Sequence, residues 1–318
     1  MKNRVLEMLQ SAEGYISGEA ISGKLGISRN AVWKHINKLR SEGYGIESVT
    51  NRGYRLNSSP DIISAEKIQE NMNTEFIGRK IVYMEETDST NNAAKAAADM
   101  PDGTLFISEI QTSGKGRLGR AWESPKGIGI WMSLLLKPEI LPQDVAQITL
   151  VVGMAAAKGI GCGAKIKWPN DVVIGTKKVC GILTEMSAEI ERVNYVVTGI
   201  GINVNTEAFD GELSEKATSL YIETGKKCER CGIIRAFLEN FEALYKKFLR
   251  GGIAALAEDY RELCITIGKE VSVIYPNRTI NGKAVDINNE GELIVETETG
   301  TVTVGSGEVS IRGIYGYV

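Results

Sequence analysis

Residues 111–122, QTSGKGRLGRAW, and the residues after them, ESPKGIGIWMSLLL (123–136), decide the fold class. Gly114, Gly116 and Gly119 spell G-x-G-x-x-G, a pattern that marks a dinucleotide site only where a helix opens inside the loop. Here Pro125, Gly127 and Gly129 lead into Ile130–Leu136, which reads as a strand, and TLFISEIQT (104–112) before the loop also reads as a strand. The unit is strand, glycine loop, strand, so a Rossmann nucleotide site is excluded. A Walker A loop is excluded too, since no G-x-x-x-x-G-K-[ST] occurs. Glycines let a ligand approach the backbone closely, and Lys115, Arg117 and Arg120 add positive charge beside Trp122. That combination predicts an anion-binding loop. A basic surface turn is the alternative.

Working outward, IVYMEETDSTNNAAKAAADM (81–100) predicts a strand, a polar turn and an alanine-rich helix that Asp88, Ser89 or Thr90 can cap. Such a helix start can offer N–H groups and hydroxyls to a ligand, but the local sequence alone favours a plain N-cap. DVAQITLVVGMAAAKGIG (144–161) reads as a buried helix. KIKWPNDVVIGTKKVCGILTEM (165–186) reads as a strand, a turn in which Pro169 leaves Asn170 and Asp171 free to face a ligand, a strand, a basic tip at Lys177 and Lys178, and a further strand. A helix over about 233–249 follows. The last fifty residues hold the short alternating segments KEVSVIY, GKAVDI, GELIVET, GTVTV and GEVSIR, with turns expected at Asn-Gly, Asn-Asn-Glu-Gly and Gly.

The first sixty residues carry nine Lys/Arg against five Glu, a net of +4 in a chain whose total is −3. Val5, Leu6, Met8 and Leu9 have helical spacing and Gly14 stops them. Ser17 can cap GEAISGKLG, with Ala20, Ile21 and Leu25 on one side. Ser28 can cap a third helix whose inner stripe is Ala31, Val32, Ile36 and Leu39. Arg29, Asn30, Lys34, Asn37 and Lys38 point away from that stripe, and a hairpin with Arg52 at its tip follows. Helix order, charge segregation and basic hairpin together predict a winged helix-turn-helix that binds DNA. A helical cap with a solvated basic face is the bland alternative. The Asn57–Pro60 stretch is expected to be a linker.

No signal-peptide core is present, and the longest apolar stretch, about 148–157, is too short to span a bilayer and stops at Lys158, so a cytoplasmic protein without a membrane partner is expected. Five cysteines are an odd number and are expected to be reduced thiols. Cys228 and Cys231 form C-x-x-C, but a structural zinc needs four ligands and the only histidine is His35.

Five motifs, DSTN (88–91), QTSGKGRLGRAW (111–122), KWPND (167–171), KKVCGIL (177–183) and GIGINVN (199–205), stand in an order that resembles the bifunctional biotin protein ligase/biotin operon repressor family across nearly the whole chain. The resemblance implies an α+β multidomain protein. Its parts are a winged helix-turn-helix domain over 1–60, a mixed-sheet, class II synthetase-like α/β ligase domain over 64–268, and an SH3-like barrel over 269–318. It implies that Ser89, Thr90, Asn91 and Gln111 hold biotin's ureido and carboxyl ends, and that Lys115, Gly116 and Arg117 wrap the adenylate and the biotin carboxylate. Lys178 meets the reacting carboxylate and α-phosphate, Trp122 meets adenine, and Arg120, Asn170 and Asp171 belong to the nucleotide side. Arg117 and Lys178 are then catalytic. Lys115 stands where many members carry Arg, which keeps the charge and loses the bidentate fork. The implied ligands are biotin and ATP, with Mg²⁺ on the triphosphate and no metal ligands from the protein. The implied partners are a biotin carboxyl carrier protein, operator DNA and a second copy in a ligand-promoted homodimer, with biotinyl-AMP as co-repressor. A lipoate-type ligase and a non-catalytic small-molecule-sensing repressor are the alternatives.

Overall fold

The computed structural model describes every residue except 42, 59, 276, 307–309 and 314–318. Its contacts divide the chain into Met1–Ile62 and Ile63–Val318. In the first unit, α1 (Lys2–Gln10), α2 (Gly18–Leu25) and α3 (Arg29–Ser41) precede a hairpin of β1 (Gly45–Val49) and β2 (Gly53–Ser58). Ser17 caps α2 by accepting from the Ala20 N–H, and Ser28 does the same for α3 through Ala31. Val5, Leu9, Ile21, Val32, Ile36 and Leu39 meet in one core. Ala20, expected on the inner side of α2, is exposed. It lies a full residue's turn, about 100°, from the single buried position, Ile21, on a helix with 3.6 residues per turn. Part of the expected linker, Ser59, lies outside the described residues.

The second unit opens with α4 (Ala65–Gln69), β3 (Ile81–Thr87), α5 (Thr90–Ala96), β4 (Thr104–Gln111), β5 (Gly129–Leu136) and α6 (Val145–Ile160). There follow β6 (Lys165–Lys167), β7 (Asp171–Ile174), β8 (Lys177–Ala188), β9 (Val193–Asn203), α7 (Leu213–Lys216), α8 (Leu220–Thr224), α9 (Arg230–Gly251) and α10 (Ala257–Leu263). Seven strands form one mixed sheet in the order β3-β4-β5-β9-β8-β7-β6, with β3 and β4 parallel and the other pairs antiparallel.

Strand side chains alternate faces, and that rule places the site. Even positions of β5 (Ile130, Met132, Leu134, Leu136) and of β9 (Val196, Ile200, Ile202) join the large core with α6 and α9. Odd positions face the other way, where Leu135 and Val197 pack with Ala94 of α5. The helix α6 is buried on almost every side, as its continuous apolar sequence requires.

The last strands, β10 (Glu270–Ile274), β11 (Thr279–Ile287), β12 (Leu293–Thr297), β13 (Gly300–Val304) and β14 (Ser310–Gly313), form an antiparallel sheet in the order β13-β12-β11-β10-β14. The first three residues of the expected strand GEVSIR lie outside the described residues. Asn281-Gly282, expected as a turn, lies inside β11 opposite Ser272 and Val271. The turn comes earlier, where Tyr275 N–H donates to the Arg278 carbonyl. Gly282 is needed for closeness, since a Cβ there would meet the Glu296 carbonyl oxygen at 2.2 Å.

Candidate active site

On the odd-numbered face, register aligns Trp131 (β5), Gly201 (β9) and Gly181 (β8) in one row and Ser133, Gly199 and Leu183 in the next. The glycines leave room for side chains from outside the sheet. A Cβ on Gly201 would lie 2.4 Å from Trp122 Nε1, one on Gly181 2.7 Å from the same indole, and one on Gly199 2.3 Å from Asn91 Oδ1. Trp122 therefore lies on Gly181 and Gly201, edge-on to Trp131 at 6.5 Å between ring centroids. Its buried Nε1–H has no hydrogen-bond partner among the described residues. A buried donor without a partner costs roughly 1–3 kcal/mol, a cost that a ligand offering an acceptor there would relieve.

The helix α5 begins beside this row. Ser89 occupies its N-cap position but makes no side-chain cap bond. Contrary to the plain-cap expectation, its hydroxyl is not spent on the helix, while Asp88 Oδ1 accepts from the Ser89 N–H and Asp88 also accepts from Asn92. Thr90 donates through its N–H to Gln111 Oε1 at 2.9 Å, and Gln111 Nε2 donates to Ser124 Oγ at 2.7 Å. Ser89, Thr90 and Asn91 are all buried. With Gln111 they line one end of a cleft whose other end holds Lys115, Gly116, Arg117, Trp122, Asn170 and Lys178.

The glycine loop folds back on itself, with Trp122 N–H bonded to the Gly114 carbonyl and Gly116 N–H to the Arg120 carbonyl at 2.7 Å. A single 3₁₀ turn at Arg117–Gly119 stands where a nucleotide-binding helix would begin. Arg117 is half-buried. It donates to Asn170 Oδ1 at 2.8 Å and to the Ser306 carbonyl at 2.7 Å, across to the C-terminal sheet. Burial pulls its pKa below the ordinary arginine value, opposed by Asp171 and assisted by Arg120. Lys178 Nζ stands 2.5 Å from Asp171 Oδ1 and 5.0 Å from the centroid of Trp122, so the ammonium is aimed across the cleft mouth. Lys115 reaches Asn92 Oδ1 at 3.3 Å, Arg120 is exposed on the return arm of the loop, and Asp171 meets the cleft through Lys178. One polar pocket and one cationic, aromatic end thus share a single cleft, an arrangement suited to a small polar molecule joined to a nucleotide.

The chain is 41% identical over 310 residues, 95% of both chains, to the bifunctional ligase/repressor BirA of Bacillus spizizenii, and 41% identical at the same coverage to that of Bacillus subtilis. The chain belongs to the bifunctional biotin ligase/repressor family. Residues 83–203 match the biotin/lipoate A/B protein ligase family, residues 2–55 an HTH domain, and residues 266–312 the biotin protein ligase C-terminal domain. Among solved structures, a biotin protein ligase from Aquifex aeolicus in complex with biotin and ATP superposes with a TM-score of 0.66. It is 31% identical, and the match covers 74% of this chain and 99% of that one.

The N-terminal unit of this family member presents Arg29, Asn30, Lys34 and Lys38 exposed on α3, with Asn37 half-exposed among them and accepting from Arg40 at 3.4 Å. Arg40 ties the hairpin to the helix by donating to the Ile46 carbonyl. Arg52 and Arg55 lie over the Tyr15 ring at 4.7 and 4.9 Å, so the hairpin tip is held by cation–π contact.

Sequence reasoning missed several residues around the cleft. Ser133, Ser124 and Glu185 touch the pocket residues directly, and a buried Arg230–Glu109 pair (2.9 Å) holds the Gly127 N–H and the Gly129 carbonyl beside Trp131. Ser133 and Glu185 were discoverable in part, because they continue the odd-position alternation that Gly199, Gly201 and Gly181 define. Cys228 is part-exposed and Cys231 buried, and among the described residues no three His, Cys, Asp or Glu side chains cluster to hold a metal. Among the same residues no helix is long and apolar enough to cross a membrane.

Proposed function

We propose that this chain activates biotin with ATP to biotinyl-5′-AMP, transfers the biotinyl group to a lysine of a biotin carboxyl carrier protein, and represses transcription through its N-terminal unit with biotinyl-AMP as co-repressor. The observation that carries the ligase reading is the convergence, in one cleft, of a hydroxyl- and amide-lined pocket with three cations, Lys115, Arg117 and Lys178, and an indole N–H that has no partner among the described residues.

The chemistry asks for little acid–base machinery. In the first step a biotin carboxylate oxygen bonds to the α-phosphorus, the bond to the β-phosphate oxygen breaks, and pyrophosphate leaves. Two anions must meet, so cations and positioning dominate. Ser89, Thr90 and Gln111 orient the ureido end. Lys178, held by Asp171, neutralises charge where carboxylate and α-phosphate react. Arg117, braced by Asn170, holds the adenylate, while Trp122 and Asn170 lie along the nucleotide. Mg²⁺ is proposed to travel on the triphosphate and to offset its charge. In the second step the acceptor amine attacks the biotinyl carbonyl carbon, AMP leaves and the amine gives up a proton. The loop at Gly114–Trp122 keeps water from the mixed anhydride meanwhile.

Further parts of the reading are a class II synthetase-like ligase domain over 64–268, an SH3-like closure of the last sheet over 269–318, a cytoplasmic site of action and a ligand-promoted homodimer. In such a dimer two helix-turn-helix units (1–60) read a palindromic operator through Arg29, Asn30, Lys34, Asn37, Lys38 and Arg52, with half-sites spaced by whole helical turns. Pyrophosphate release with biotin and ATP, repeated with lipoate in place of biotin, tests the ligase reading: biotin alone should support release. A gel-shift titration tests the repressor reading, in which biotin plus ATP tightens operator binding; equal affinity with and without ligands removes it.

A further inference from the structure

The chain returns from the glycine loop to β5 through residues 124–129, bent at Gly127, whose φ is +81°. A buried ion pair grips that arm. Arg230, at the start of α9, donates through Nη1 to Glu109 Oε2 at 2.9 Å and to the Gly129 carbonyl at 3.1 Å, and through Nη2 to Glu109 Oε1 at 3.2 Å. Glu109 Oε2 also accepts from the Gly127 N–H at 3.2 Å. Arg230 and Glu109 are 1% and 5% exposed, so these bonds are completed by the pair and not by bulk water. From the arm the contacts reach the cleft. Ser124 Oγ accepts from Gln111 Nε2 at 2.7 Å and donates to the Trp122 carbonyl at 3.2 Å. The Pro125 carbonyl accepts from Nε1 of Trp131, the ring that meets Trp122 edge-on.

We infer that Glu109 and Arg230, neither of which is among the residues lining the cleft, are positioning residues for its nucleotide end: they fix the return arm and so keep Trp122 seated on Gly181 and Gly201. Taking two charges out of water is costly, and a well-packed apolar pair of similar volume often holds such a place with equal or greater stability. What apolar groups cannot supply is direction. The bidentate fork sets guanidinium and carboxylate in one fixed geometry, from which the cation reaches a backbone carbonyl and the anion a backbone N–H of the same arm. Both ends of the bend at Gly127–Gly129 are thereby held to one rigid pair.

The activity arm of the test rests on the reading of the cleft as a biotin and ATP site; the cleavage arm does not. Glu109→Leu/Arg230→Met removes both charges together and keeps the volume, so its urea midpoint should stay near that of wild type. Trypsin cuts after Lys115, Arg117, Arg120 and Lys126. Cleavage follows the population of the opened segment, and in the double variant it should run about tenfold faster at these sites. The KM for ATP in pyrophosphate release should rise about tenfold with kcat within about threefold. Arg230→Lys, which keeps the charge and loses the fork, should move both readouts the same way by less, and it carries the test if the double variant does not fold. A folded variant whose cleavage at these sites, or whose ATP KM, equals that of wild type overturns the inference. A wild type that releases no pyrophosphate from ATP with biotin overturns the biotin reading instead, and the cleavage rates then decide the anchoring by themselves.

Discussion

Replacing Lys178 with alanine should cripple adenylation, and the structure sets the scale. Its ammonium is 2.5 Å from Asp171 and 5.0 Å from the Trp122 centroid, at a position only 21% exposed. Removing one preorganised electrostatic contact at a site of developing charge costs about 2.7–4 kcal/mol, or 10²–10³ in rate. A second loss adds to it. Asp171, 14% exposed, would keep its negative charge without Lys178 beside it and would face two anionic substrates. Like charges ~4 Å apart repel by about 4 kcal/mol at an effective dielectric constant near 20. Single-turnover pyrophosphate release at saturating biotin and ATP should therefore fall at least ~300-fold in Lys178→Ala. Adding Asp171→Asn should recover about tenfold of that by removing a negative charge that Arg117 would then offset without Lys178. Operator binding by protein supplied with preformed biotinyl-AMP should change little. Turnover of Lys178→Ala within about threefold of wild type, less than ~1 kcal/mol of barrier, would refute the electrostatic role.

Arg117→Gly should fold normally and release reactive adenylate to solvent, because a charge-assisted contact of roughly 1.5–3 kcal/mol is lost; retention equal to wild type in a single-turnover chase counters this. Gly201→Ala places a Cβ 2.4 Å from Trp122 Nε1 and should displace the indole, raising the ATP KM roughly tenfold with an unchanged circular dichroism spectrum. An unchanged ATP KM would detach Trp122 from nucleotide binding. Burial alone would raise the Glu242 pKa, but the backbone N–H groups of Glu75, Ile77 and Phe76, together with Lys246, hold it below the ordinary carboxylate value. That stability is present above the unfolded carboxyl pKa and is lost as pH falls through the depressed folded value, so Glu242→Gln should flatten the acid limb of stability measured by urea unfolding. An unaltered acid limb would show that Glu242 contributes nothing to it.

The sequence carries the cleft's contacting residues well because they sit in short local motifs. Ser89 to Asn91 share one helix start, Lys115 to Trp122 one loop, and Asn170 and Lys178 the two ends of one hairpin. What it conceals are the partners brought by register. Ser133 meets Asn91 across 42 positions, Glu185 meets it across 94, and Arg230 meets Glu109 across 121. No local pattern encodes those distances. The same limit explains two misreadings: Ser89 reads as a cap until Asp88 and Gln111 are seen to hold the turn instead, and Asn281-Gly282 reads as a turn until its close approach to β12 requires a strand glycine.

The most direct test of the central claim is mass spectrometry of a biotin carboxyl carrier domain incubated with the purified protein, biotin, ATP and Mg²⁺. One biotinyl group should appear on one carrier lysine, dependent on both biotin and ATP and accompanied by AMP and pyrophosphate. An unmodified carrier, with wild-type protein shown to be folded, would contradict it.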